Sequence, residues 1–420
     1  MPSRRAFLAT SAAAMAGSLL PRCGWGAEPT YQANVPLRVI TQGPRHHWFG
    51  YYDKWQFDPN DRFVLSNEVP FEHRSPTESD VITVGYVDLE DGDTWTSIGE
   101  SRAWGWQQGC MLQWVPNTAS TVIWNDRDGD RFVSRILDVK SGVGRTLPHA
   151  IYTLSPDGKT AITTDFRRLN ELRPGYGYSG IDDPNRDVMR PDDVGIWSVD
   201  LASGDAKLII PVAQAAAIGE QTPDMADGKH YFNHLLFNTD GTRFIFLHRW
   251  RPDRGRGNFR TRMFTANADG SDLYVLDSSG ETSHFIWRDP QHVCAWTKPA
   301  GKPAGFYLFK DQTDEITPVG PGVMTVNGHN TYLPVGEIGE WILNDTYPDK
   351  DRMQTVYLYH VPIGKRTDLG RFPSPPAYTG EWRCDTHPRY SHSGKLVCID
   401  SPHESEGRQL HLADVSEIVS

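Results

Sequence analysis

Four histidines occupy the same position in four copies of a repeated pattern. Each lies three residues before the aromatic residue that marks its copy, and they are His234, His284, His329 and His387. Imidazole is a common metal ligand and the side chain best suited to carry protons near neutral pH. If the copies surround one axis, the four rings converge and can hold a metal or move a proton. The alternative is a structural ring of histidines that hydrogen-bond to neighbouring backbone and water.

A second set of polar side chains follows about eleven or twelve residues after the same markers. In a blade of antiparallel strands, the end of the second strand lies beside the start of the first, so both sets face one mouth of the ring. Arginine forks bind carboxylates, and Trp and Tyr faces suit sugar rings. This face therefore has groups suited to sugar rings and to carboxylates, although acids there can simply orient the arginines and the aromatics can pack between blades. The candidate binding residues on this face are Trp106, Gln107, Gln108, Asp126, Arg249 and Tyr347.

The stretch from Arg167 to Tyr178 is the most unusual in the chain. It reads RRLNELRPGYGY and belongs to an insertion near residues 167–192. Long loops on a rigid scaffold usually bind something. Alternatively, this one is a solvated cap whose arginines pair with its own acids, such as Asp182 and Asp183. It adds four residues to the candidate binding set, namely Arg167, Arg173, Tyr176 and Tyr178.

A repeated unit of an apolar residue, a turn and a β-branched or aromatic run must position these residues. Seven copies are marked by Phe57, Trp114, Leu154, Phe237, Trp287, Tyr332 and Tyr390. Spacings of about 40 to 50 residues are typical of four-stranded propeller blades. The longer gap after Leu154 holds one blade plus the insertion. We predict an all-β fold, a seven-bladed β-propeller of four-stranded antiparallel blades. Only three strands fit after Tyr390, so residues 37–40 supply the last outer strand and close the ring.

Composition narrows the class of ligand. The 42 basic and 53 acidic residues give a net charge of -11, which argues against nucleic acid because its phosphates need a basic face. An acidic ligand remains compatible with a local arginine and histidine cluster. With 14 Trp, 16 Tyr and 17 Phe beside 38 Gly and 30 Pro, the chain is a turn-rich β protein with an aromatic core.

The N-terminus has the features of an export signal. Ser3-Arg4-Arg5-Ala6-Phe7-Leu8 resembles the twin-arginine motif, and the apolar stretch that follows is too short to span a bilayer comfortably. An ordinary amphipathic helix is the alternative. We assign residues 1–27 to the signal and 28–420 to a single propeller domain, a monomer that is periplasmic or secreted. After signal cleavage we expect no stable membrane insertion.

The repeat layout, the segment from Tyr152 to Arg168 and the Arg-Pro-Gly-Tyr-Gly-Tyr loop resemble seven-bladed propeller polysaccharide lyases. These include the oligogalacturonate, ulvan and rhamnose-glucuronate lyases. In the latter two a Tyr is followed sixteen residues later by an Arg, as Tyr152 is by Arg168. The resemblance implies β-elimination on a uronate, with Tyr152 as proton donor or base and Arg168 as its electrostatic partner.

The resemblance extends to a metal site. Residues 387–391 resemble part of the histidine-containing site of oligogalacturonate lyases, although Cys384 and Arg389 stand where further ligands are expected. It implies one divalent ion, Mn²⁺, Ca²⁺ or Zn²⁺. The proposed ligands are His284, His329 and His387, with Asp385. The segment 104–109 lacks the histidine of those families, and the candidates to replace it are His46, His47, His73 and His234.

Two functional hypotheses follow. The first is an exported lyase that cleaves a uronate-containing oligosaccharide, with Tyr152, Arg168 and His234 as catalytic residues. The second is a non-catalytic propeller of the TolB-like type that binds a glycan or a protein through the same mouth. Fold alone does not decide between them.

Overall fold

Seven antiparallel sheets form a ring in the computed structural model, which describes residues 31–404 and 407–420. This confirms the predicted all-β class and the seven-bladed propeller. The residues Tyr31–Ser420 cluster as one unit. The predicted export signal lies outside the described residues and stays a prediction. Among the residues described, no helix is both long and apolar enough to cross a membrane.

The strands follow one another blade by blade along the chain. Two short strands come first, β1 (Gln32–Ala33) and β2 (Leu37–Val39). Blade 1 holds β3 (His46–Trp48), β4 (Phe63–Val69), β5 (Ile82–Asp88) and β6 (Thr94–Ser101). Blade 2 holds β7 (Gln113–Trp114), β8 (Thr121–Asp128), β9 (Arg131–Asp138) and β10 (Gly144–Leu147). Blade 3 holds β11 (Thr153–Leu154), β12 (Thr160–Thr163), β13 (Gly195–Asp200) and β14 (Ala206–Pro211).

The second half of the ring has the same plan. Blade 4 holds β15 (Lys229–Phe237), β16 (Arg243–Arg251), β17 (Arg260–Asn267) and β18 (Tyr274–Gly280). Blade 5 holds β19 (Phe285–Asp289), β20 (His292–Thr297), β21 (Gly305–Lys310) and β22 (Ile316–Val319). Blade 6 holds β23 (Thr331–Tyr332), β24 (Trp341–Asn344), β25 (Met353–His360) and β26 (Lys365–Pro373). Blade 7 holds β27 (Arg389–Tyr390), β28 (Leu396–Ser401) and β29 (Gln409–Asp414).

The N-terminal strands complete two blades. Strand β2 pairs with β29, Leu37 opposite Ala413 and Val39 opposite His411, and so becomes the outer strand of blade 7. This confirms the predicted ring closure. Strand β1 pairs with β26 and gives blade 6 a fifth strand, which the sequence pattern did not indicate.

The helices of the described residues are all short. The insertion between β12 and β13 begins with a helix capped by Asp165, whose carboxylate accepts hydrogen bonds from the backbone of Arg167 and Arg168. The remainder of the insertion, 173–194, is irregular apart from turns and bends. The helices are α1 (Phe166–Leu172), α2 (Val212–Ala217), α3 (Pro223–Ala226), α4 (Pro252–Gly255), a 3₁₀ turn (Gly380–Trp382) and α5 (Ser416–Val419).

The turns that recur in the sequence join the inner two strands of each blade. In blade 3, Ser155 Oγ donates to the Asp157 carboxylate at 2.6 Å, and Gly158 adopts a φ of 69°. A side chain at Gly158 would lie 2.4 Å from the Pro116 carbonyl of blade 2. Glycine is therefore required both by the turn and by the seam between blades.

The innermost strand of blade 1 is interrupted by a crossing segment, residues 49–55. Strand β3 pairs with the end of β4, and the ladder resumes where Leu65 donates to the Gln56 carbonyl and Phe57 bridges Val64. Between these two pieces the chain leaves the blade and enters the middle of the ring. This segment carries Tyr51, Tyr52, Asp53 and Lys54, all in contact with other blades or with each other.

Candidate functional site

The four repeated histidines meet inside the ring. The ring centroids of His284 and His329 lie 4.0 Å apart, and those of His329 and His387 lie 4.2 Å apart. His234 belongs to the same group through Tyr51 and Tyr52, whose rings lie 4.8 and 5.6 Å from it. The crossing segment thus packs its two tyrosines against histidines from four blades.

Irregular backbone aims two of these histidines inward. His234 has a φ of 52° and lies where the β15–β16 register shifts between Asn233 and Leu235. His387 has a φ of 38° just before β27. A non-glycine residue in the left-handed region is uncommon, and a bulge of this kind turns a side chain out of the regular strand pattern.

His329 is held by a carboxylate. Its Nδ1 lies 2.9 Å from Asp345 Oδ1, which also accepts the His329 backbone N–H, and Thr386 donates to the other Asp345 oxygen at 2.6 Å. Burial opposes a charge on His329, but the charge of Asp345 and this hydrogen bond raise its pKa. The pairing fixes Nδ1 as the donor and leaves Nε2 to face its neighbours. This is the arrangement that orients metal-binding histidines.

Three side chains offer metal ligands to one point. Candidate ligand atoms of His329, Asp385 and His387 all lie within 4.8 Å of one another. Within the described part of the chain, Nε2 of His329 and Nε2 of His387 have no hydrogen-bond partner. Burial and the neighbouring His329 keep the pKa of His387 well below its ordinary value, so its ring stays neutral. Two imidazole nitrogens and a carboxylate suit a divalent transition metal, so the residues fit the group that the resemblance implies.

His284 stands beside this triad rather than in it. Its Nδ1 lies 3.0 Å from Asn327 Oδ1, and its Nε2 lies 3.5 Å from the Tyr347 hydroxyl. Both ring nitrogens therefore have neighbours other than a metal. Of the four predicted ligands, the structure groups His329, Asp385 and His387.

A cluster of arginines adjoins the triad. Arg383 donates from Nε to Asp385 at 2.7 Å and from Nη2 to the Tyr176 hydroxyl at 2.8 Å. The Arg173 guanidinium lies 4.7 Å from the Tyr176 ring centroid. Arg173 and Arg249 both stack on Phe259, at 4.4 and 4.7 Å.

The positive charge of this arginine cluster is only partly neutralised. Among the described ion pairs, Arg383 has Asp385, whereas Arg173 and Arg249 have no carboxylate within 4.0 Å. Surplus positive charge at a largely buried place suits a bound carboxylate.

Tyr176 has an unusually acidic phenol for a buried tyrosine. Burial raises the pKa, but the charges of Arg383 and Arg173 outweigh it and bring the pKa of Tyr176 to about 8. A fraction of the Tyr176 side chain is therefore phenolate near neutral pH. Arg383 links this hydroxyl to the triad, because it also donates to Asp385.

Tyr152 lies in a different environment. Its hydroxyl accepts from Gln108 Nε2 at 2.7 Å and from the His234 backbone at 2.9 Å, and it lies 3.2 Å from Asn233 Oδ1. The side chain is fully buried, and burial followed by the charge of Asp53 raises its pKa well above the ordinary value. The hydroxyl connects the entry to blade 2 with the start of blade 4.

Arg168 differs from what the resemblance implies. Its five N–H groups are directed at five acceptors, the Asp183 carboxylate and four backbone carbonyls, so none is left for Tyr152. The carbonyls belong to His230, Asn185, Val188 and Met189. Arg168 fastens the insertion to blade 4. The alternative of an arginine paired with its own loop acids describes this residue, with Asp183 as partner.

His234 of β15 contacts a buried ion pair on the crossing segment. Its Nε2 lies 3.2 Å from Asp53 Oδ2, and Lys54 lies 2.9 Å from Asp53 Oδ1. Burial would raise the pKa of Asp53, but Lys54 and His234 bring it to about 2. Asp53 and Lys54 also line a cavity of about 300 Å³ bounded by marker residues such as Phe237 and Trp287.

The remaining predicted binding residues divide into two groups. Gln107 donates to the Glu381 and Arg383 carbonyls at 2.8 and 3.1 Å, and so positions the Arg383 segment, while Tyr347 lies against His284 and His329. The others make contacts of structural type. Trp106 packs on Trp48 and Trp104, Tyr178 stacks on Phe166, and the Arg167 and Asp126 side chains pair with Asp165 and Arg135.

Two site residues were missed by the sequence reasoning. Arg383 lies two residues before the predicted ligand Asp385, a proximity that could have drawn attention to it. Phe259 lies in the irregular connection before β17 and follows no repeat position. No sequence signal marked it.

Solved structures similar to this one include two oligogalacturonate lyases and a β-propeller domain. An oligogalacturonate lyase in complex with manganese superposes with a TM-score of 0.64 at 15% identity, covering 93% of this chain and 96% of that chain. An oligogalacturonate lyase from Vibrio parahaemolyticus gives 0.62 at 14% identity, covering 93% and 99%. The β-propeller domain of the trilobed protease from Pyrococcus furiosus gives 0.50 at 8% identity, covering 87% and 96%.

No protein-family model and no curated protein matches the chain. At these low identities the structural likeness establishes the fold alone. At that level it confirms the resemblance to oligogalacturonate lyases that the sequence indicated.

Proposed function

We propose that this protein is an exported lyase that cleaves a uronic-acid-containing oligosaccharide by β-elimination. The observation that carries the proposal is the acidic phenol of Tyr176 held by Arg383 and Arg173 next to the His329, Asp385 and His387 triad. A uronate needs its carboxylate neutralised before its α-proton becomes acidic enough to remove. This cluster supplies both the positive charge and a base.

The arginines have the chemistry to hold the substrate carboxylate. Arg173 and Arg249 have no carboxylate of their own among the described ion pairs, and both lie over the ring of Phe259. The two arginines would stabilise the enolate-like negative charge that develops on a substrate carboxylate bound between them as the proton leaves.

The elimination breaks two bonds at the sugar and forms one. The base takes the proton from the carbon next to the carboxylate, the bond between the adjacent carbon and the glycosidic oxygen breaks, and a carbon–carbon double bond forms. The departing oxygen takes up a proton. Tyr176 is our candidate for the base because its pKa of about 8 makes phenolate available. Tyr152, which the resemblance implies for this role, has a hydroxyl bonded on three sides and a raised pKa.

A divalent ion has a place in this scheme. His329 and His387 would hold it through Nε2, together with the Asp385 carboxylate, while Asp345 keeps His329 in the required tautomer. When bound, such an ion supplies Lewis acidity toward the substrate carboxylate. One of the similar lyases was solved with manganese, which makes Mn²⁺ the first ion to test.

The experiment follows the ultraviolet absorbance of the conjugated unsaturated uronate that β-elimination creates. The mature protein is mixed with oligogalacturonate, ulvan, glucuronan or gum arabic side chains, each with Mn²⁺, Ca²⁺, Zn²⁺ or EDTA. We expect a signal with at least one substrate, lost in Tyr176→Phe. A signal that survives Tyr176→Phe and disappears in Tyr152→Phe would return the base to Tyr152.

The same panel of glycans and ions distinguishes the lyase proposal from the hypothesis of a non-catalytic binding protein. A flat absorbance trace for every glycan and ion, together with a glycan that still raises the melting temperature, would refute the lyase proposal. It would favour the non-catalytic propeller instead. Export is tested separately, by comparing the cellular fraction of the intact precursor with that of an Arg4→Lys, Arg5→Lys variant.

A further inference from the structure

A second group of metal-ligating side chains, separate from the triad, lies in the outer half of blade 7. His403 is in the connection between β28 and β29, and His411 is in β29 itself. Their ring centroids lie 4.0 Å apart with the planes inclined by 36°. Candidate ligand atoms of His403, Glu404 and His411 all lie within 4.8 Å of one another.

His411 is buried without a satisfied ring. Its exposed fraction is 1%, and neither Nδ1 nor Nε2 has a hydrogen-bond partner of normal geometry in the described residues, although the Ser401 carbonyl lies near it. Buried polar atoms in native proteins are nearly always paired with protein, water or an ion. A buried imidazole without a well-formed hydrogen bond, close to two other side chains that can ligate a metal, is therefore suited to binding an ion.

His403 also has a ring nitrogen without a hydrogen-bond partner among the described residues. Its Nδ1 lies 2.8 Å from Ser401 Oγ, which leaves Nε2 without a partner among the described residues. The rings of Tyr31 and Phe372 cover it, at centroid distances of 4.4 and 5.1 Å. Burial lowers the pKa of both rings, so each keeps the lone pair that a metal needs.

We propose that His403, Glu404 and His411 form a second, structural site for a divalent transition-metal ion, with Zn²⁺ the ion that the ligand set fits best. Two histidine nitrogens and one carboxylate make a three-ligand set that leaves a fourth position for water. Imidazole ligands favour zinc and its neighbours over Ca²⁺ or Mg²⁺, which prefer oxygen.

The place of this site gives it a function in stability. His411 pairs with Val39 of the ring-closing strand β2, and the covering residue Tyr31 precedes strand β1 of blade 6. An ion bound here would tie β29, through His411, to the connection that carries His403 and Glu404. Because it binds the folded ring and not the separated strands, it raises stability without touching the triad.

The test measures Zn²⁺ itself. Mature protein freed of metal with EDTA is titrated with Zn²⁺, and bound equivalents and melting temperature are recorded for wild type, His403→Ala, Glu404→Gln and the matched control His149→Ala. We expect His403→Ala to lose about one equivalent and the part of the thermal shift that it causes. His149 lies in the connection between blades 2 and 3 and outside both ligand groups, so His149→Ala should leave both readings unchanged.

A His387→Ala variant distinguishes Zn²⁺ binding at the triad from Zn²⁺ binding at the new site. The His387→Ala variant should keep the equivalent of bound Zn²⁺ that His403→Ala loses. Co²⁺ bound to His387→Ala should show visible absorption, and this absorption should disappear in the double variant His387→Ala, His403→Ala. Glu404 is exposed, so Glu404→Gln gives a folded variant even if His403→Ala does not. The proposal is overturned if His403→Ala and Glu404→Gln both bind as much Zn²⁺ as wild type with the same thermal shift, whatever the lyase assay shows.

Discussion

At the scale of single residues, the acidity of Tyr176 depends on its two arginine neighbours. Burial alone would hold the phenol neutral far above physiological pH, as it does for Tyr152. Arg383 and Arg173 reverse that effect at Tyr176. The difference between the two tyrosines is therefore one of charge environment, since both are buried.

Replacing Arg383 tests this dependence. In Arg383→Gln we expect the pKa of Tyr176 to rise from about 8, because a cation that favoured the phenolate has gone. If Tyr176 is the base, the rate falls by about 10²-fold or more and its optimum moves to higher pH, a magnitude typical of losing one charge-stabilising donor. The pKa is measured as the difference between ultraviolet titrations of each protein and its Tyr176→Phe counterpart. Arg131→Gln, an exposed arginine of blade 2, is the control and should change neither quantity. An unaltered phenol titration in Arg383→Gln would remove the electrostatic argument.

At the scale of elements, Arg168 makes the insertion part of the propeller. Five hydrogen bonds from one buried guanidinium join α1 to residues 183–189 and to the start of β15. Arg173 of the arginine cluster and Tyr176 lie on the same insertion, directly after α1. Order at Arg168 is therefore a condition for order at Tyr176.

Replacing Arg168 distinguishes a structural residue from a catalytic one. We expect Arg168→Ala to destabilise the fold by about 3–5 kcal/mol, because it leaves the buried Asp183 carboxylate without its partner. Limited proteolysis should then cut within 173–194, and urea unfolding should give the loss in stability. The neighbouring, more exposed Arg167→Ala should cost less than about 1 kcal/mol. Wild-type stability in Arg168→Ala, with activity abolished, would instead favour the catalytic role that the resemblance implies.

The closing strand supplies a second test at this scale. A chain that starts at Pro36 loses β1, which pairs through only two residues, and should melt close to wild type. A chain that starts at Gly43 also loses β2 and the buried Ile40, and leaves β29 with an open edge. We expect a much lower melting temperature and a tendency to aggregate. Equal melting temperatures for the two truncations would mean that β2 does not hold the ring closed.

The sequence allowed the blades to be predicted but not the site in full. Strands and turns are local, so the markers and turns such as Ser155-Pro156-Asp157-Gly158 sufficed for the blade count and the closing strand. The convergence of His329 and His387 followed from the symmetry of the repeats. The Tyr152 and Arg168 spacing could not show where either side chain points. Arg383 and the crossing segment depend on contacts between distant residues, which no repeat encodes.

At the scale of the whole molecule, the fold keeps several histidines neutral. Burial lowers the pKa of each to between about 3 and about 4, well below the ordinary value of a histidine in an unfolded chain. They are His47, His230, His234, His403 and His411. Between pH of about 6.5 and 4 the unfolded chain therefore binds protons that the folded chain does not.

Stability should consequently fall as the pH falls through this range. Each such histidine contributes a slope of at most about 1.4 kcal/mol per pH unit. We expect the melting temperature, measured in EDTA, to drop steadily from pH 6.5 to pH 4, and a His230→Gln or His234→Gln variant to show a shallower drop. A melting temperature that stays constant over the range would contradict the burial of these rings.

The crossing segment, residues 49–55, runs through the middle of the propeller ring. Tyr51 and Tyr52 start from blade 1, and the Tyr52 hydroxyl donates to the Phe285 carbonyl of blade 5, on the other side of the ring. The crossing segment therefore spans the middle of the ring between blades 1 and 5. Under the proposed lyase activity, a glycan would therefore be bound at one end or across the rim of the ring, not threaded along its axis, and both fragments would leave on the side from which the chain arrived.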